Sequence, residues 1–338
     1  MALTRLKLKN FTTFESLDME LSPGINVLVG ANGTGKTHIM KVCYALCDAS
    51  KKQVTAGGKL TRVFLPSSWE LKGLVKRGKG NNVILGSSAG IYVDGKEDRS
   101  ISFGLNSYGE SMCLPPKLKS SPIESVYIPV KEMLANAPGF RSLYARREIH
   151  FEDIYSDILD HAYLPPLRSP ENKHLLDKLQ ESIGGEVVIK GEEFFVHTEH
   201  GLLEFTLLAE GFRKLGLLWL LIRNGSLQKG SVLFWDEPET NLNPKLLGTV
   251  IEVLMELQRS GVQIFLATHN YVVLEEIHLR QKEEDDVAFH SLYRDEETGE
   301  IACNTTNHYL GIHPNPIAEA YTSIYDRMIE RSLGDIGR

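Results

Sequence analysis

Eight consecutive residues near the start of the chain, GANGTGKT from Gly30 to Thr37, have the spacing of a phosphate-binding loop. The pattern GxxxxGK(S/T) is matched by Gly30, Gly35, Lys36 and Thr37. Glycines let a backbone wrap closely around a phosphate, so that its N–H groups point at the oxygens. We expect Lys36 to reach the β- and γ-phosphates and the Thr37 hydroxyl to bind magnesium.

The flanking sequence supplies the context that this loop requires. The apolar run Ile25–Val29 predicts a buried strand that leads into the loop, and His38–Asp48 predicts the helix that follows it. The N-terminal end of that helix would add partial positive charge to the phosphate site. The sequence therefore predicts an ATP site lined by Gly30, Asn32, Gly33, Thr34, Gly35, Lys36, Thr37 and His38.

Two adjacent carboxylates, Asp236 and Glu237, follow the apolar segment Val232–Trp235. Asp236 suits a magnesium site, and Glu237 suits a general base that polarises the attacking water. A solvated acidic turn would explain an isolated Asp-Glu pair equally well. The preceding apolar strand and the phosphate-binding loop favour a catalytic pair.

A histidine, His269, follows a third apolar segment, Val262–Ala267. In a parallel sheet the C-terminal ends of the strands converge on the ligand crevice. A single histidine is more often structural, but this position favours a contact to the γ-phosphate. With Lys36 and Glu237 it completes the predicted catalytic set.

The elements that must position these residues alternate between strands and helices, which indicates an α/β fold with a mostly parallel core sheet. Short β segments bounded by Gly, Asn or Asp predict an antiparallel meander at Asn82–Leu85, Ile91–Val93 and Ser100–Leu105. The glycine-rich segment 51–82 before it is expected to be mostly loop. Leu207–Ile222 predicts a long apolar helix.

A change of character in the middle of the chain predicts an inserted helical subdomain at residues 130–199. Its helical patterns are Glu152–His161 and Glu171–Ile183, and its Tyr144–Arg147 segment (YARR) is our candidate surface for a protein partner. The rest of the chain is expected to form one two-lobed head from residues 1–129 and 200–300, and a C-terminal helical extension from residues 301–338.

Charge and composition limit the classes of partner. The net charge of −7 argues against a surface coated with nucleic-acid-binding residues. Eight Lys or Arg residues and one acid lie between Lys51 and Asn82, so the Lys51–Lys79 region is either a solvated loop or a contact for nucleic acid or an acidic partner. No stretch suits a membrane helix, and the four cysteines suit core thiols in a reducing cytoplasm.

The three motifs together resemble the ABC-type ATPase superfamily, particularly its SMC/RecF/OLD branch. The opening Leu6–Phe14 (LKLKNFTTF) is similar to the start of that branch. The resemblance implies a P-loop NTPase fold with an ABC-ATPase-like head, ATP and Mg²⁺ as cofactors, and head-to-tail dimers or higher assemblies. It covers roughly residues 1–110 and 200–300.

The same resemblance implies a signature motif, usually LSGGQ, that contacts the ATP of the opposite subunit. The chain has LAEGFRK from Leu208, in which Gly211 matches the second glycine, Ala209 replaces the serine and Glu210 replaces the first glycine. Asn243 stands in the D-loop where aspartate is common. The segment where a Q-loop glutamine belongs carries Lys131 and Glu132 instead.

Three functions from different classes fit these motifs. The first is an ATPase subunit that resembles those of the PARIS, Septu and OLD-like anti-phage systems, senses a phage component and controls a separate effector, a nuclease or toxin. The second is a RecF-like repair ATPase that clamps DNA. The third, a transporter subunit, is disfavoured by the altered signature. No spaced carboxylates follow Tyr293 on strands, so we expect no nuclease domain in this chain.

Overall fold

The computed structural model describes residues 2–49, 55–78, 86–93, 95–105, 111–113, 117–118 and 123–336. The strands within these ranges are β1 (Leu3–Phe11), β2 (Phe14–Glu20), β3 (Ile25–Gly30), β4 (Gly86–Val93), β5 (Lys96–Leu105), β6 (Ser111–Cys113), β7 (Lys117–Leu118), β8 (Ser125–Ile128), β9 (Glu186–Lys190), β10 (Glu193–Thr198), β11 (Gly201–Glu204), β12 (Val232–Asp236), β13 (Gln263–Ala267), β14 (Val287–Arg294) and β15 (Ile301–Thr306). The helices are α1 (Lys36–Asp48), α2 (Ala56–Phe64), α3 (Phe140–Ala145), α4 (Asp153–Ala162), α5 (Lys173–Ile183), α6 (Glu210–Arg223), α7 (Pro244–Arg259), α8 (Tyr271–Arg280) and α9 (Pro316–Ile336).

A six-stranded sheet in the order β15-β14-β3-β13-β12-β8 forms the core. Its neighbours pair in parallel, except for the antiparallel edge strand β15. Every residue of β3, β12 and β13 is buried, as expected for parallel strands with both faces covered. The predicted α/β fold with a mostly parallel core sheet is confirmed.

A second sheet, in the order β2-β1-β4-β5-β6 with β7 on β5, is antiparallel. It contains the predicted meander segments Ile91–Val93 and Ser100–Leu105, which lie within β4 and β5. The third predicted segment, Asn82–Leu85, lies outside the described residues. Apolar residues of this sheet share one buried cluster with α1, so the sheet backs the helix that follows the phosphate-binding loop.

Helix α6 begins at Glu210, three residues later than the pattern of Leu207–Ile222 predicts. The preceding residues Phe205–Leu207 form a 3₁₀ turn, and Ala209 has an extended backbone. Most of α6 is buried, as its nearly continuous apolar sequence requires. In the part of the chain that the structure describes, no helix is both long and apolar enough to cross a membrane.

The helices predicted at Glu152–His161 and Glu171–Ile183 are present as α4 and α5. Strands β9, β10 and β11 follow as a three-stranded antiparallel sheet. Because β11 pairs with β10 across the boundary expected at residue 199, we propose that the insertion ends after Glu204 rather than at 199.

The C-terminal segment 301–338 was expected to be helical, and its first part is not. Residues Ile301–Thr306 form β15, which pairs with β14 through a tight turn at Asp295–Gly299. Edge pairing to the core sheet satisfies the backbone of this segment, and the helix α9 begins only at Pro316.

The segment 51–82, expected to be mostly loop, contains helix α2 and two 3₁₀ turns. The Thr55 side chain caps α2 by accepting a hydrogen bond from the Gly58 N–H. Ala56, Leu60 and Val63 form its buried face at helical spacing. Because the segment is rich in glycine, its sequence did not predict this short amphipathic helix.

Lys59 on α2 is buried and is held by three carboxylates. Its ammonium lies 2.9 Å from Asp48, 2.8 Å from Asp153 and 2.6 Å from Asp157. Burial lowers the pKa of Lys59, but the three carboxylates outweigh burial and raise it above the ordinary lysine value. Since Asp48 ends α1 and the other two lie on α4, this cluster ties the phosphate-loop helix to the insertion.

Replacing Lys59 with methionine is expected to destabilise the fold by about 3 to 5 kcal/mol, because it leaves buried carboxylates without their counter-charge. Urea unfolding followed by circular dichroism measures the change. The matched control is Lys72→Met, which removes an exposed ion pair with Glu70 and should cost under about 1 kcal/mol. Equal, small effects of the two substitutions would contradict this account of the cluster.

Candidate nucleotide-binding site

The loop Gly30–Thr37 connects β3 to α1, as the sequence predicts. Gly30 and Gly35 both have positive φ angles, of 149° and 94°. A Cβ atom on Gly30 would lie 2.2 Å from the Leu292 carbonyl oxygen, and one on Gly35 would lie 2.5 Å from the Phe14 ring. Only glycine fits these two positions, so the loop is built against β14 and the start of β2.

Lys36 lies inside this loop. Its ammonium donates hydrogen bonds to the carbonyl oxygens of Gly30, at 2.8 Å, and Ala31, at 3.1 Å. Burial lowers the pKa of Lys36 to about 8, and the charges of Asp236, Glu237 and Glu239 oppose the change. The loop therefore folds around a cation that faces the carboxylates at the end of β12.

Asp236 ends β12 and is buried beside the loop. Its carboxylate accepts hydrogen bonds from the Thr37 hydroxyl and, at 3.3 Å, from the Tyr127 hydroxyl. Burial raises its pKa, which a nearby cation would reverse. A carboxylate and a hydroxyl in contact beside a phosphate-binding loop are hard oxygen ligands, so Thr37 and Asp236 fit a magnesium ion.

Glu237 has a left-handed backbone, with φ of 47°. Its N–H donates to the Ala267 carbonyl on β13 at 2.9 Å, and its carboxylate accepts from the Thr240 hydroxyl at 3.0 Å. This conformation costs a residue other than glycine about 1 to 2 kcal/mol. The neighbouring strand and Thr240 hold Glu237 in that conformation, at the point where the sheet ends.

A third carboxylate, Glu239, was not identified from the sequence. One of its oxygens accepts from the Thr268 hydroxyl at 2.8 Å and from the His269 N–H at 2.9 Å. Its other oxygen is buried and has no hydrogen-bond partner among the described residues. A carboxylate two residues after Glu237 and a hydroxyl just before His269 were the signals that could have paired the two segments.

His269 follows β13 and lies close to the other catalytic candidates. Burial lowers its pKa, Lys36 lowers it further, and Glu237 opposes both effects. The imidazole is therefore neutral at pH 7. The structure brings Lys36, Asp236, Glu237 and His269 together at the C-terminal edge of the core sheet, where the sequence places them.

The remaining predicted contacts of the loop have different surroundings. Asn32 and Gly33 are exposed, and the Thr34 hydroxyl donates to the Ala31 carbonyl. His38 points away from the loop: its Nδ1 lies 3.0 Å from the Thr12 hydroxyl and its ring packs on Phe64. Burial lowers the pKa of His38 to about 4, so this side chain is neutral as well.

Ala209, Gly211 and Asn243 lie at the starts of two helices: Ala209 precedes α6, Gly211 is its second residue, and Asn243 precedes α7. A Cβ on Gly211 would lie 3.1 Å from the Asn241 carbonyl, so the start of α6 packs directly on the segment that follows Glu237. The Asn243 side chain caps α7 by accepting from the Lys245 N–H. The role of these residues toward a second subunit stays a prediction.

Two protein-family models match successive parts of the chain. The family described as "AAA ATPase domain" matches residues 1–108. The family described as "AAA domain, putative AbiEii toxin, Type IV TA system" matches residues 114–275. The first match contains the phosphate-binding loop, and the second contains Asp236, Glu237 and His269.

Curated relatives match short stretches of the chain. The DNA replication and repair protein RecF of Edwardsiella ictaluri is 32% identical over 108 residues, 30% of this chain and 30% of that protein. RecF of Klebsiella pneumoniae is 56% identical over 46 residues, 14% of this chain and 13% of that protein. The matches thus span less than a third of the length of these relatives.

Solved structures share the fold over nearly the full length. The SMC head domain of Thermotoga maritima has a TM-score of 0.51 at 16% identity, and the match covers 90% of this chain and 99% of that structure. The Smc head domain with a coiled coil and joint from Pyrococcus yayanosii has a TM-score of 0.57 at 11% identity, and the match covers 95% of this chain and 99% of that structure. The expected ABC-type head fold is confirmed.

For ATP hydrolysis, we expect kcat/KM to fall as the pH rises through about 8, because Lys36 is charged below its pKa and neutral above it. The measurement is a pH series at constant ionic strength. The internal control is kcat at saturating ATP, which should fall only at higher pH since bound phosphate keeps the amine charged. A kcat/KM that stays flat up to the ordinary lysine pKa would contradict the assignment.

The site and the comparisons agree. The phosphate-binding loop, the carboxylates after β12 and the histidine after β13 meet at one edge of the core sheet, both matching family models describe AAA-type domains, and RecF proteins and SMC heads share sequence or fold with the chain. The chain therefore has an ABC-type ATPase head fold and resembles the ATPases of the SMC/RecF branch in its motifs and sequence.

Proposed function

We propose that the chain hydrolyses ATP in a head-to-tail dimer or higher assembly. Each ATP lies between the phosphate-binding loop of one subunit and the Gly211 signature of the other. The observation that carries the proposal is the grouping of Lys36, Asp236, Glu237 and His269 at one sheet edge. The flanking Leu207 is 69% exposed, which suits a surface that a second subunit covers.

Each side chain at the sheet edge has a defined role in this proposal. Glu237 takes a proton from the attacking water, and Lys36 stabilises charge that develops on the γ-phosphate. His269, held by Glu239, contacts the γ-phosphate as a neutral imidazole. Magnesium, held by Thr37 and Asp236, supplies charge neutralisation at the phosphate oxygens.

One departure of the signature from its usual form, the glutamate in place of the first glycine, stabilises helix α6. Glu210 stands at the first position of α6, where a carboxylate stabilises the helix dipole. Ala209, which precedes it, offers no hydroxyl, so the backbone N–H groups at the start of α6 are the donors left for the ATP of the partner subunit.

Replacing Glu237 with glutamine should preserve ATP binding, lower the rate of hydrolysis by roughly 10² to 10⁴-fold and trap an ATP-dependent dimer, because only the base is removed. Light scattering after gel filtration, with and without ATP, measures the assembly. Lys36→Ala should lose ATP binding. The matched control for Glu237→Gln is Glu297→Gln, which changes an exposed glutamate and should behave like the wild type. Normal hydrolysis by the Glu237 variant would overturn the assignment.

For the cellular role, we propose a cytoplasmic sensor or regulator in a bacterial anti-phage system, which responds to a phage-encoded trigger and controls a separate effector that supplies any nuclease or toxin activity. The description of the matching family as a putative AbiEii toxin supports this class. Arg146 and Arg147 on the insertion are exposed, so the segment 144–147 is available to an acidic partner.

The alternative is a RecF-like ATPase that clamps DNA, and the 32% identity to RecF over 108 residues favours it. The basic region Lys51–Lys79 supports it less than its composition suggests. Of its described basic residues, Lys59, Arg62, Lys72 and Lys76 are paired with carboxylates of the same chain, and Arg77 is exposed. Pairing reduces the charge that those four residues offer to phosphates.

We expect duplex DNA to bind this protein only at the non-specific level, with a Kd of about 10⁻⁴ to 10⁻⁶ M at physiological salt, and ATP to leave that value unchanged. Fluorescence anisotropy with the Glu237→Gln variant measures it, with and without ATP. Wild-type protein with ADP is the control for the open state. Tightening by ATP of tenfold or more would favour the DNA clamp over the defence regulator.

A further inference from the structure

The start of α6 makes a second contact that the signature motif does not explain. Lys214, one turn after Gly211, is 1% exposed, and its ammonium donates a 2.6 Å hydrogen bond to the Thr240 carbonyl oxygen. Thr240 lies in the loop between Glu237 and Asn243. A buried ammonium that donates to a loop carbonyl fixes that loop relative to the helix.

The same threonine holds the catalytic carboxylate. The Thr240 hydroxyl donates to Glu237 at 3.0 Å, and the Thr240 N–H donates to the Glu237 carbonyl at 3.1 Å. Lys214, Thr240 and Glu237 therefore form a continuous chain of hydrogen bonds from the signature helix to the proposed base. The start of α6 also packs closely on this loop, because a Cβ on Gly211 would lie 3.1 Å from the Asn241 carbonyl oxygen.

Carboxylates surround Lys214 and link it electrostatically to the catalytic site. Burial lowers its pKa, while the carboxylates of Glu210, Glu239, Glu237 and Glu132 oppose that change. Lys214 is therefore within electrostatic reach of Glu237 and Glu239. It thus acts on the orientation and on the electrostatic surroundings of the base.

The neighbouring Arg213 anchors the helix on its other side. Its guanidinium donates to the Leu208 carbonyl at 2.9 Å and lies 3.5 Å from the carboxylate of Glu132. Glu132 is buried, accepts a hydrogen bond from the Leu134 N–H and stands in the segment where a Q-loop glutamine was expected. The first turns of α6 are therefore tied to both loops that border the site.

We propose that Lys214 is a positioning residue that couples the two ATP sites of the dimer. Contact between Gly211 and the ATP of the partner subunit fixes the start of α6, and Lys214 passes that constraint through Thr240 to Glu237, which acts on the ATP of its own subunit. Occupancy of one site thereby promotes hydrolysis in the other. This inference rests on the dimer proposed above.

The test compares Lys214→Met, which keeps the length of the side chain and removes its charge and donors, with Lys214→Arg and with Lys229→Met. Lys229 is exposed and serves as the matched control. We expect Lys214→Met to lower kcat at least tenfold, leave the Kd for ATP within twofold, and reduce a wild-type Hill coefficient above one to one. Lys214→Arg should restore part of the rate and the cooperativity.

The same substitution in the Glu237→Gln background separates the possible failures. The double variant should still form the ATP-dependent dimer, since Lys214 is not a contact between subunits. Three outcomes would overturn the role of Lys214 without affecting the proposed dimer. They are an unchanged kcat and Hill coefficient in Lys214→Met, a Hill coefficient of one in the wild type, and parallel losses of ATP affinity, dimer formation and melting temperature. Failure of Glu237→Gln itself to dimerise would overturn the proposed dimer, and the coupling with it.

Discussion

A buried lysine needs compensating oxygen atoms, and this requirement ties the helices of the protein to its nucleotide site. Lys36 on α1, Lys59 on α2 and Lys214 on α6 are each nearly inaccessible to water. Each is held by backbone carbonyls or carboxylates, because an unpaired charge in the interior costs several kcal/mol. Lys36 is held within its own loop, Lys59 ties α2 to α1 and α4, and Lys214 ties α6 to the loop that follows Glu237.

Much of the core sheet and of the site could be predicted because the signals are local. Asp236 and His269 follow apolar segments by one and two residues, Lys36 lies in the loop after another, and the edge of a parallel sheet brings such positions together. Glu239 and Lys214 could not be placed in this way. Their roles depend on partners in separate segments, and no periodicity in the sequence encodes such pairings.

The errors in the predicted elements have the same origin. Glycines made the segment before β4 look like loop, whereas the burial of Lys59 against α4 stabilises helix α2 there. The C-terminal segment offered no strong strand pattern, and β15 forms because β14 presents an edge to pair with. In both cases a tertiary contact outweighs the local preference of the sequence. Where local and tertiary signals agree, as in α4 and β12, the prediction was accurate.

The Lys59 cluster also sets an order of events during synthesis. Lys59 and Asp153 are separated by 94 positions, so α2 emerges from the ribosome well before the carboxylates of α4. At about 5 to 20 residues per second, the interval is roughly 5 to 20 s. Throughout it, Asp48 is the one carboxylate of the cluster that has already been made, so the buried charge of Lys59 is fully compensated only after α4 has emerged.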